Sequence, residues 1–179
     1  MLREFLRLEE PGAPLYGRYR REVGVERFDR ATSLGFLRAG MEELGVPAAA
    51  GELEEAVDAL DGIVGWLTYY GYYRAVRGLP HREALDAVFR EGVGLVMGEL
   101  ERVIAPSRAR YLAILRAVAY GARAWSDIKA YVVARTGSIT NSRFSALLRN
   151  LVRYGYLAKE GDEYVIPDPV VRRAVLATA

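Results

Sequence analysis

The sequence lacks residue types on which whole classes of function depend. Its 179 residues include no cysteine, which excludes disulfides, thiolate zinc sites, iron–sulfur clusters and cysteine nucleophiles. His81 is the only histidine, so a histidine-rich metal site is excluded and a Ser-His-Asp triad has one possible base. We expect His81 to be a surface or capping residue, and we predict no catalytic residue and no metal site.

Long apolar runs are also missing. The longest uncharged run, Gly62–Tyr73, is far shorter than the roughly 18–20 residues that span a bilayer. The first residues do not form a basic segment followed by an apolar one, so we expect no signal peptide. We predict a cytoplasmic protein with no membrane partner. Glutamine is absent and there are two asparagines, which favours a heat-adapted source.

The charge is distributed unevenly along the chain. The formal net charge is +2, and 51% of the residues are hydrophobic, which is typical of a globular protein. Between Ser107 and Lys159, however, ten basic residues accompany a single acid, Asp127. That stretch carries +9, which leaves −7 for the remainder. The division indicates two modules, of which the basic one could face a polyanion such as double-stranded DNA.

The first hundred residues have a mainly helical pattern. Apolar spacing predicts a short helix at residues 2–9, and alternation of apolar and polar residues predicts one strand at Arg21–Phe28. A single strand needs hydrogen-bond partners for its backbone groups, but no second strand is predicted in the first hundred residues to supply them. Four helices follow, over Asp29–Leu44 with Asp29 as the N-cap, Glu52–Leu60, Trp66–Arg77 and Pro80–Ile104.

The pattern changes after Ser107. Three helices are predicted, over Arg110–Tyr120, over Asp127–Arg135 with Ser126 as its cap, and from a cap at Thr140 or Asn141 to Gly155. A β-hairpin follows around Gly161 and Asp162, and a last helix begins at Asp168-Pro169. This order of three helices, hairpin and helix is that of a winged helix-turn-helix.

The third of these helices is the predicted recognition helix. Small donors and an arginine at its start are of the types that contact phosphates and base edges, and the hairpin tip would act as a wing. The candidate DNA-binding residues are Ser138, Thr140, Asn141, Ser142, Arg143, Arg149 and Lys159. An alternative is that this module binds proteins and that Arg149 belongs to a solvated face.

The helix after Gly65 is unusually aromatic. It contains Trp66, Tyr69, Tyr70, Tyr72 and Tyr73, which could stack on bases but which we interpret as core residues.

The sequence lacks the motifs of P-loop nucleotide hydrolysis, because no G-x-x-x-x-G-K-[ST] occurs and no apolar strand ends in paired acids. We therefore expect no ATP hydrolysis by the P-loop route from these residues.

Several ordered stretches resemble one family. The chain is similar to the C-terminal half of archaeal P-loop ATPases in the STAND-like branch of AAA+ proteins, which are related to the origin-recognition ATPases. The stretches are PLYGR (residues 14–18), VERFDRATSLGFLRAGMEELGV (25–46), LDGIVGWLTYYG (60–71), RYLAILRAVAYGARAWSDIKAYV (110–132) and DPVVRR (168–173).

The resemblance implies an architecture. A Walker-type domain would precede a helical lid and a winged helix, and the strand at 21–28 would be the last of the parallel sheet. We thus predict a mainly α fold, with a residual core strand and a helical lid bundle in residues 1–105 and a winged helix-turn-helix in residues 106–179. The P-loop, Walker B and earlier strands of such an ATPase are missing from the sequence, as in a truncated form.

The resemblance also implies residues near a nucleotide. The family's G-I-P-G-W-L motif packs the lid against adenine, and here Gly62, Val64, Gly65 and Trp66 occupy it, with Val64 replacing the proline. Arg18 matches a family position that could sense phosphate. No cofactor is expected in this chain itself, and ATP and Mg²⁺ would bind only if the P-loop part were supplied.

Three functional hypotheses remain. The first is a non-catalytic regulatory or nucleic-acid-binding portion of an archaeal P-loop ATPase, dependent on a missing or separate ATPase domain. The second is a free-standing winged-helix transcription regulator, dimeric through its lid helices. The third is a protein-interaction adaptor with no affinity for DNA.

Overall fold

A computed structural model describes Pro11 and residues 26–177 of the chain. Within this part, eight α-helices and one two-stranded antiparallel sheet form the fold, which confirms the mainly helical class. The helix predicted at residues 2–9, Arg18 and residues 21–25 of the predicted strand lie outside the described residues.

The first four helices form what we call the helical unit. They are α1 (Arg30–Glu43), α2 (Ala50–Leu60), α3 (Val64–Gly71), which continues into a π-helical turn at Tyr72–Val76, and α4 (His81–Ile104). Asp29 caps α1 as predicted, because its Oδ1 accepts the backbone N–H of Thr32 at 2.7 Å. This hydrogen bond lowers the pKa of Asp29.

Two predictions for the helical unit need correction. The helix predicted over Trp66–Arg77 begins two residues earlier and changes to π geometry at Tyr72. Residues 26–28 are not a strand, so the residual strand is not found in its described part. The backbone N–H of Phe28 instead donates to Gly62 O at 3.0 Å, in the turn between α2 and α3.

The second group of elements has the predicted winged-helix order. After a 3₁₀ turn at Ala105–Ser107 come α5 (Arg108–Ala119), α6 (Trp125–Thr136), α7 (Asn141–Arg153), β1 (Ala158–Glu160), β2 (Glu163–Val165) and α8 (Pro169–Ala177). The two strands pair in register from Ala158 opposite Val165 to Glu160 opposite Glu163. We call α5–α8 and the hairpin the winged helix.

The cap of α6 differs from the prediction. The helix begins at Trp125, with Ala124 in the N-cap position and no side-chain cap. Ser126 therefore lies inside the first turn, where its hydroxyl bonds to the carboxylate of Asp127. Trp125, the first residue of the helix, packs against Phe144 of α7, with the ring centroids 5.1 Å apart.

The long helix α4 belongs to two cores. Its first half contributes Leu85 and Val88 to the core of the helical unit, and its second half contributes Val96, Leu100 and Ile104 to that of the winged helix. Trp66 and Phe89 pack against both clusters. The division into domains at residues 1–105 and 106–179 stays a prediction, because α4 contributes residues to the cores of both the helical unit and the winged helix.

His81 is buried, which corrects its predicted place on the surface. Its Nδ1 lies 2.8 Å from the hydroxyl of Tyr70, and its Nε2 lies 3.1 Å from Glu55 Oε2. Tyr70 is fully buried, and a buried phenol needs a polar partner. Desolvation by burial, reinforced by the charge of Glu52, raises the pKa of Tyr70 to about 12. Tyr70 is thus a core residue, whereas Tyr72 of the same aromatic group is exposed.

In the part of the chain that the structure describes, no helix combines the length and the apolar character needed to cross a bilayer.

Candidate nucleic-acid interface

All seven predicted DNA-binding side chains lie at the surface of the winged helix. Five of them lie at or just before the first turn of α7, Arg149 lies farther along the same helix, and Lys159 lies on β1. The structure therefore brings Ser138, Thr140, Asn141, Ser142 and Arg143 together at one helix end.

Thr140 is the N-cap of α7, which decides between the two predicted caps. Its Oγ1 accepts the backbone N–H of Arg143 at 3.4 Å and lies 3.3 Å from the Ser142 hydroxyl. The Arg143 guanidinium donates to Ser107 Oγ at 3.4 Å, so it lies across the turn before α5. The side chains at the start of α7 are thus held by local bonds while their outer atoms face solvent.

Two basic residues missing from the prediction support this helix start. The guanidinium of Arg110 donates to the carbonyl oxygen of Ser138 at 3.3 Å. The amino group of Lys129 donates to Asn141 Oδ1 and lies 5.3 Å from the centroid of the Trp125 ring. Both belong to the basic stretch that the charge count identifies, but only the folded structure places them beside α7.

The outward stripe of α7 carries positive charge. Ser142, Arg149 and Arg153 are spaced by seven and four residues, so they share the face opposite the buried Phe144 and Leu148. Neither Asp nor Glu occurs among the thirteen residues of α7. A helix of this kind presents cations without neutralising acids on the same element.

The wing is a short hairpin attached to the connection between α5 and α6. Tyr164 N–H donates to Arg123 O at 3.0 Å, and the Arg123 guanidinium pairs with Glu163 at 3.2 Å. Lys159 lies 3.8 Å from Asp162 at the hairpin tip, and both side chains are at least half exposed. Because an ion pair in this exposed position is weak, the Lys159 ammonium can exchange Asp162 for another anion.

The motif that resembles the family's adenine-packing segment lies in the turn before α3. Gly62 has φ +67°, and a Cβ there would lie 2.1 Å from the carbonyl oxygen of Phe28, so the close approach of the two backbones requires glycine. Val64 and Gly65 begin α3. The indole N–H of Trp66 donates to both carboxylate oxygens of Asp168, at 3.2 and 3.1 Å.

Gly65 and Trp66 line a groove between the two units. Its volume is about 960 Å³, and Arg153, Tyr154 and Tyr156 line it from the winged helix. Burial and the nearby charge of Glu99 raise the pKa of Tyr156. The groove is aromatic and open. Among residues 26–177, no group of three His, Asp or Glu side chains is placed to hold a metal ion.

Comparison with known proteins defines the class. Residues 106–166 match the family described as the MCM protein C-terminal winged helix-turn-helix domain. The solved structure of a Walker-type ATPase of Pyrococcus abyssi matches 98% of this chain with 39% identity and a TM-score of 0.81. The chain spans about half the length of that structure, 49%. No curated protein matches the sequence.

These similarities confirm the resemblance to part of an archaeal Walker-type ATPase. The chain contains a winged-helix module, and it is similar along nearly its whole length to part of an archaeal Walker-type ATPase, consistent with the C-terminal half. The roles of the seven candidate DNA-binding residues and of Gly62, Val64, Gly65 and Trp66 near a nucleotide stay predictions.

Proposed function

We propose that this chain is a non-catalytic, regulatory and DNA-binding portion of an archaeal P-loop ATPase of the STAND-like AAA+ type. The helical unit would be the lid, and the winged helix would contact duplex DNA through the start and outward stripe of α7, with Lys159 of the wing on the adjacent backbone. Nucleotide would be handled by an ATPase module that works with it.

The observation that carries this proposal is the charge of the exposed α7 face. Arg143 and Arg149 are exposed on a helix without acids, and the donors of its first turn are also exposed. Arginine binds phosphate through paired N–H groups, and the N–H groups at a helix start favour anions. Such a face fits the phosphate backbone beside a DNA groove, which a recognition helix enters by its N-terminal residues.

The proposal includes no ATP turnover by this chain. The sequence contains no G-x-x-x-x-G-K-[ST], the loop whose amides, lysine and hydroxyl hold a triphosphate and Mg²⁺. The indole N–H of Trp66 donates to Asp168 of the same chain. ATP and Mg²⁺ are therefore expected to act through the partner module.

Fluorescence anisotropy with a labelled duplex tests the DNA contact. We expect binding that weakens as salt rises, because each neutralised phosphate adds about 0.9 to the slope of log K against log salt. Arg149→Ala should weaken binding and reduce that slope by about 1. Arg38→Ala is the matched control, since it removes one exposed charge from α1 without touching α7.

The alternatives give different results. Negligible affinity at low salt contradicts DNA binding and favours the protein-interaction adaptor. Equal losses for Arg149→Ala and Arg38→Ala contradict the assignment of α7, because net charge alone would then explain the change. A stable dimer in light scattering, together with DNA binding, favours the free-standing regulator, since such regulators read paired half-sites as dimers.

A further inference from the structure

Trp66 links the two units of the structure by a charge-assisted hydrogen bond. The indole belongs to α3 in the helical unit, and its N–H lies 3.1–3.2 Å from the carboxylate of Asp168, 102 residues away. The same carboxylate accepts the backbone N–H of Val170 at 2.7 Å and so caps α8 of the winged helix. One carboxylate therefore both caps a helix of the winged helix and binds the helical unit.

Gly92 of α4 lets three elements meet beside this bond. A Cβ at Gly92 would lie 2.7 Å from Val170 Cγ1 and 3.2 Å from two ring atoms of Trp66. Val170 is fully buried, and its side chain is stiff at χ1 because it is β-branched, so its methyl has little room to move. The absence of a side chain here allows α3, α4 and α8 to pack in direct contact.

Further contacts surround this junction. The Arg27 guanidinium donates to Pro167 O, in the loop before α8, and pairs with Asp61 at the end of α2. Arg173 of α8 lies 4.3 Å from the Phe89 ring of α4. These contacts add two further links between the helical unit and the region of α8.

The 3₁₀ turn at Ala105–Ser107 is the place where a hinge would be expected between the units. Yet α4 supplies Val96, Leu100 and Ile104 to the core of the winged helix before that turn is reached. Bending at the turn would pull α5 from these residues and α8 from Gly92. The packing therefore opposes rotation of one unit against the other.

We propose that the helical unit and the winged helix move as one rigid body, and that the Trp66–Asp168 bond with the Gly92 contact is the joint that locks them. Any displacement of the helical unit is then carried undiminished to α7. The rigidity stands on this hydrogen bond and on packing within the chain; only its consequence for DNA rests on the proposed function.

Residual dipolar couplings of the full 179-residue chain test this joint without DNA. We expect a single alignment tensor to fit the backbone N–H couplings of both units. Trp66→Phe, which keeps a ring but removes the N–H, should require two tensors. The matched control is Trp125→Phe, which loses an indole bond of 3.2 Å to Ser145 within the winged helix and should keep one tensor.

Each other result overturns the proposal. Two tensors in the unaltered chain contradict the rigid body, and one tensor in Trp66→Phe contradicts the assignment of the joint. If Trp66→Phe does not fold, Asp168→Ser replaces it, because serine can still cap α8 but is too short to bind the indole. DNA binding that fails in anisotropy leaves these outcomes unchanged, so the two proposals are separable.

Discussion

Replacing Gly92 by alanine should destabilise the protein, although the same change elsewhere on α4 should stabilise it. In a helix interior, alanine is favoured over glycine by about 0.5–1 kcal/mol, because it restricts the unfolded chain and fits the helix. Gly94 lies two residues farther on and is exposed, and a methyl group added there would have no atom within 4 Å. Gly94→Ala therefore has the propensity gain and no packing cost.

Gly92→Ala has the same propensity gain and a packing cost. The new methyl would lie 2.7 Å from Val170 and 3.2 Å from the Trp66 ring, well inside ordinary contact. Inserting a methyl into a filled site costs typically about 1–3 kcal/mol. Because the propensity term is shared, the two variants should differ by that packing cost, with Gly92→Ala the less stable.

Urea denaturation followed by far-ultraviolet circular dichroism measures this difference. Both variants should unfold with similar dependence on urea, so that the midpoints compare directly. A Gly92→Ala variant that is as stable as Gly94→Ala would refute the reasoning. It would mean that α8 and Trp66 move aside for the new methyl without a loss of stability, so the contact at Gly92 would not hold the two units rigidly.

Three further predictions concern the phenol of Tyr70, the contact between α5 and α8, and the nucleotide. The pKa of Tyr70 is raised to about 12 in the folded protein, so the stabilisation of the fold by its neutral phenol is present below pH 10 and is lost as the pH rises towards 12. The free energy of unfolding of Tyr70→Phe should therefore fall less steeply between pH 10 and 12 than that of the unaltered protein. Parallel curves would contradict this. Arg172 donates from Nε and Nη2 to the carbonyl oxygen of Ala119. Arg172→Ala should therefore lower the free energy of unfolding by about 1 kcal/mol in urea titrations. An unchanged urea midpoint would show that solvent replaces these hydrogen bonds. Isothermal titration of the chain with ATP and Mg²⁺ should give no binding in the physiological range, and a saturable heat would contradict the expected need for a partner module.

Several features that depend on neighbouring residues can be predicted from the sequence, although the cap predicted at Ser126 is wrong. Asp29, Thr140 and Asp168 are predictable N-caps, because a capping side chain bonds to an N–H two or three residues away. The hairpin at Gly161 is predictable for the same reason, since a tight turn is specified by its own residues. The order of the winged-helix elements follows from these local signals.

Features that depend on distant residues cannot be predicted in this way. Nothing local to His81 indicates that the hydroxyl of Tyr70 and the carboxylate of Glu55 meet its ring. The bond from Trp66 to Asp168 joins residues that are 102 positions apart.

The candidate interface divides along the same line. Its exposed residues can be predicted from residue type and helical position, whereas the contact from Lys129 of α6 to Asn141 depends on how two helices pack. Sequence periodicity specifies which face of a helix is apolar, but the partner of each polar side chain is decided by packing between elements.

A nitrogen-15 NMR titration with a short duplex tests most directly whether the winged helix binds DNA. The account predicts that backbone amide signals of residues 138–143 and of Lys159 shift as duplex is added, while those of α1 and α2 stay in place. Shifts confined to the helical unit, or none anywhere at low salt, would contradict it.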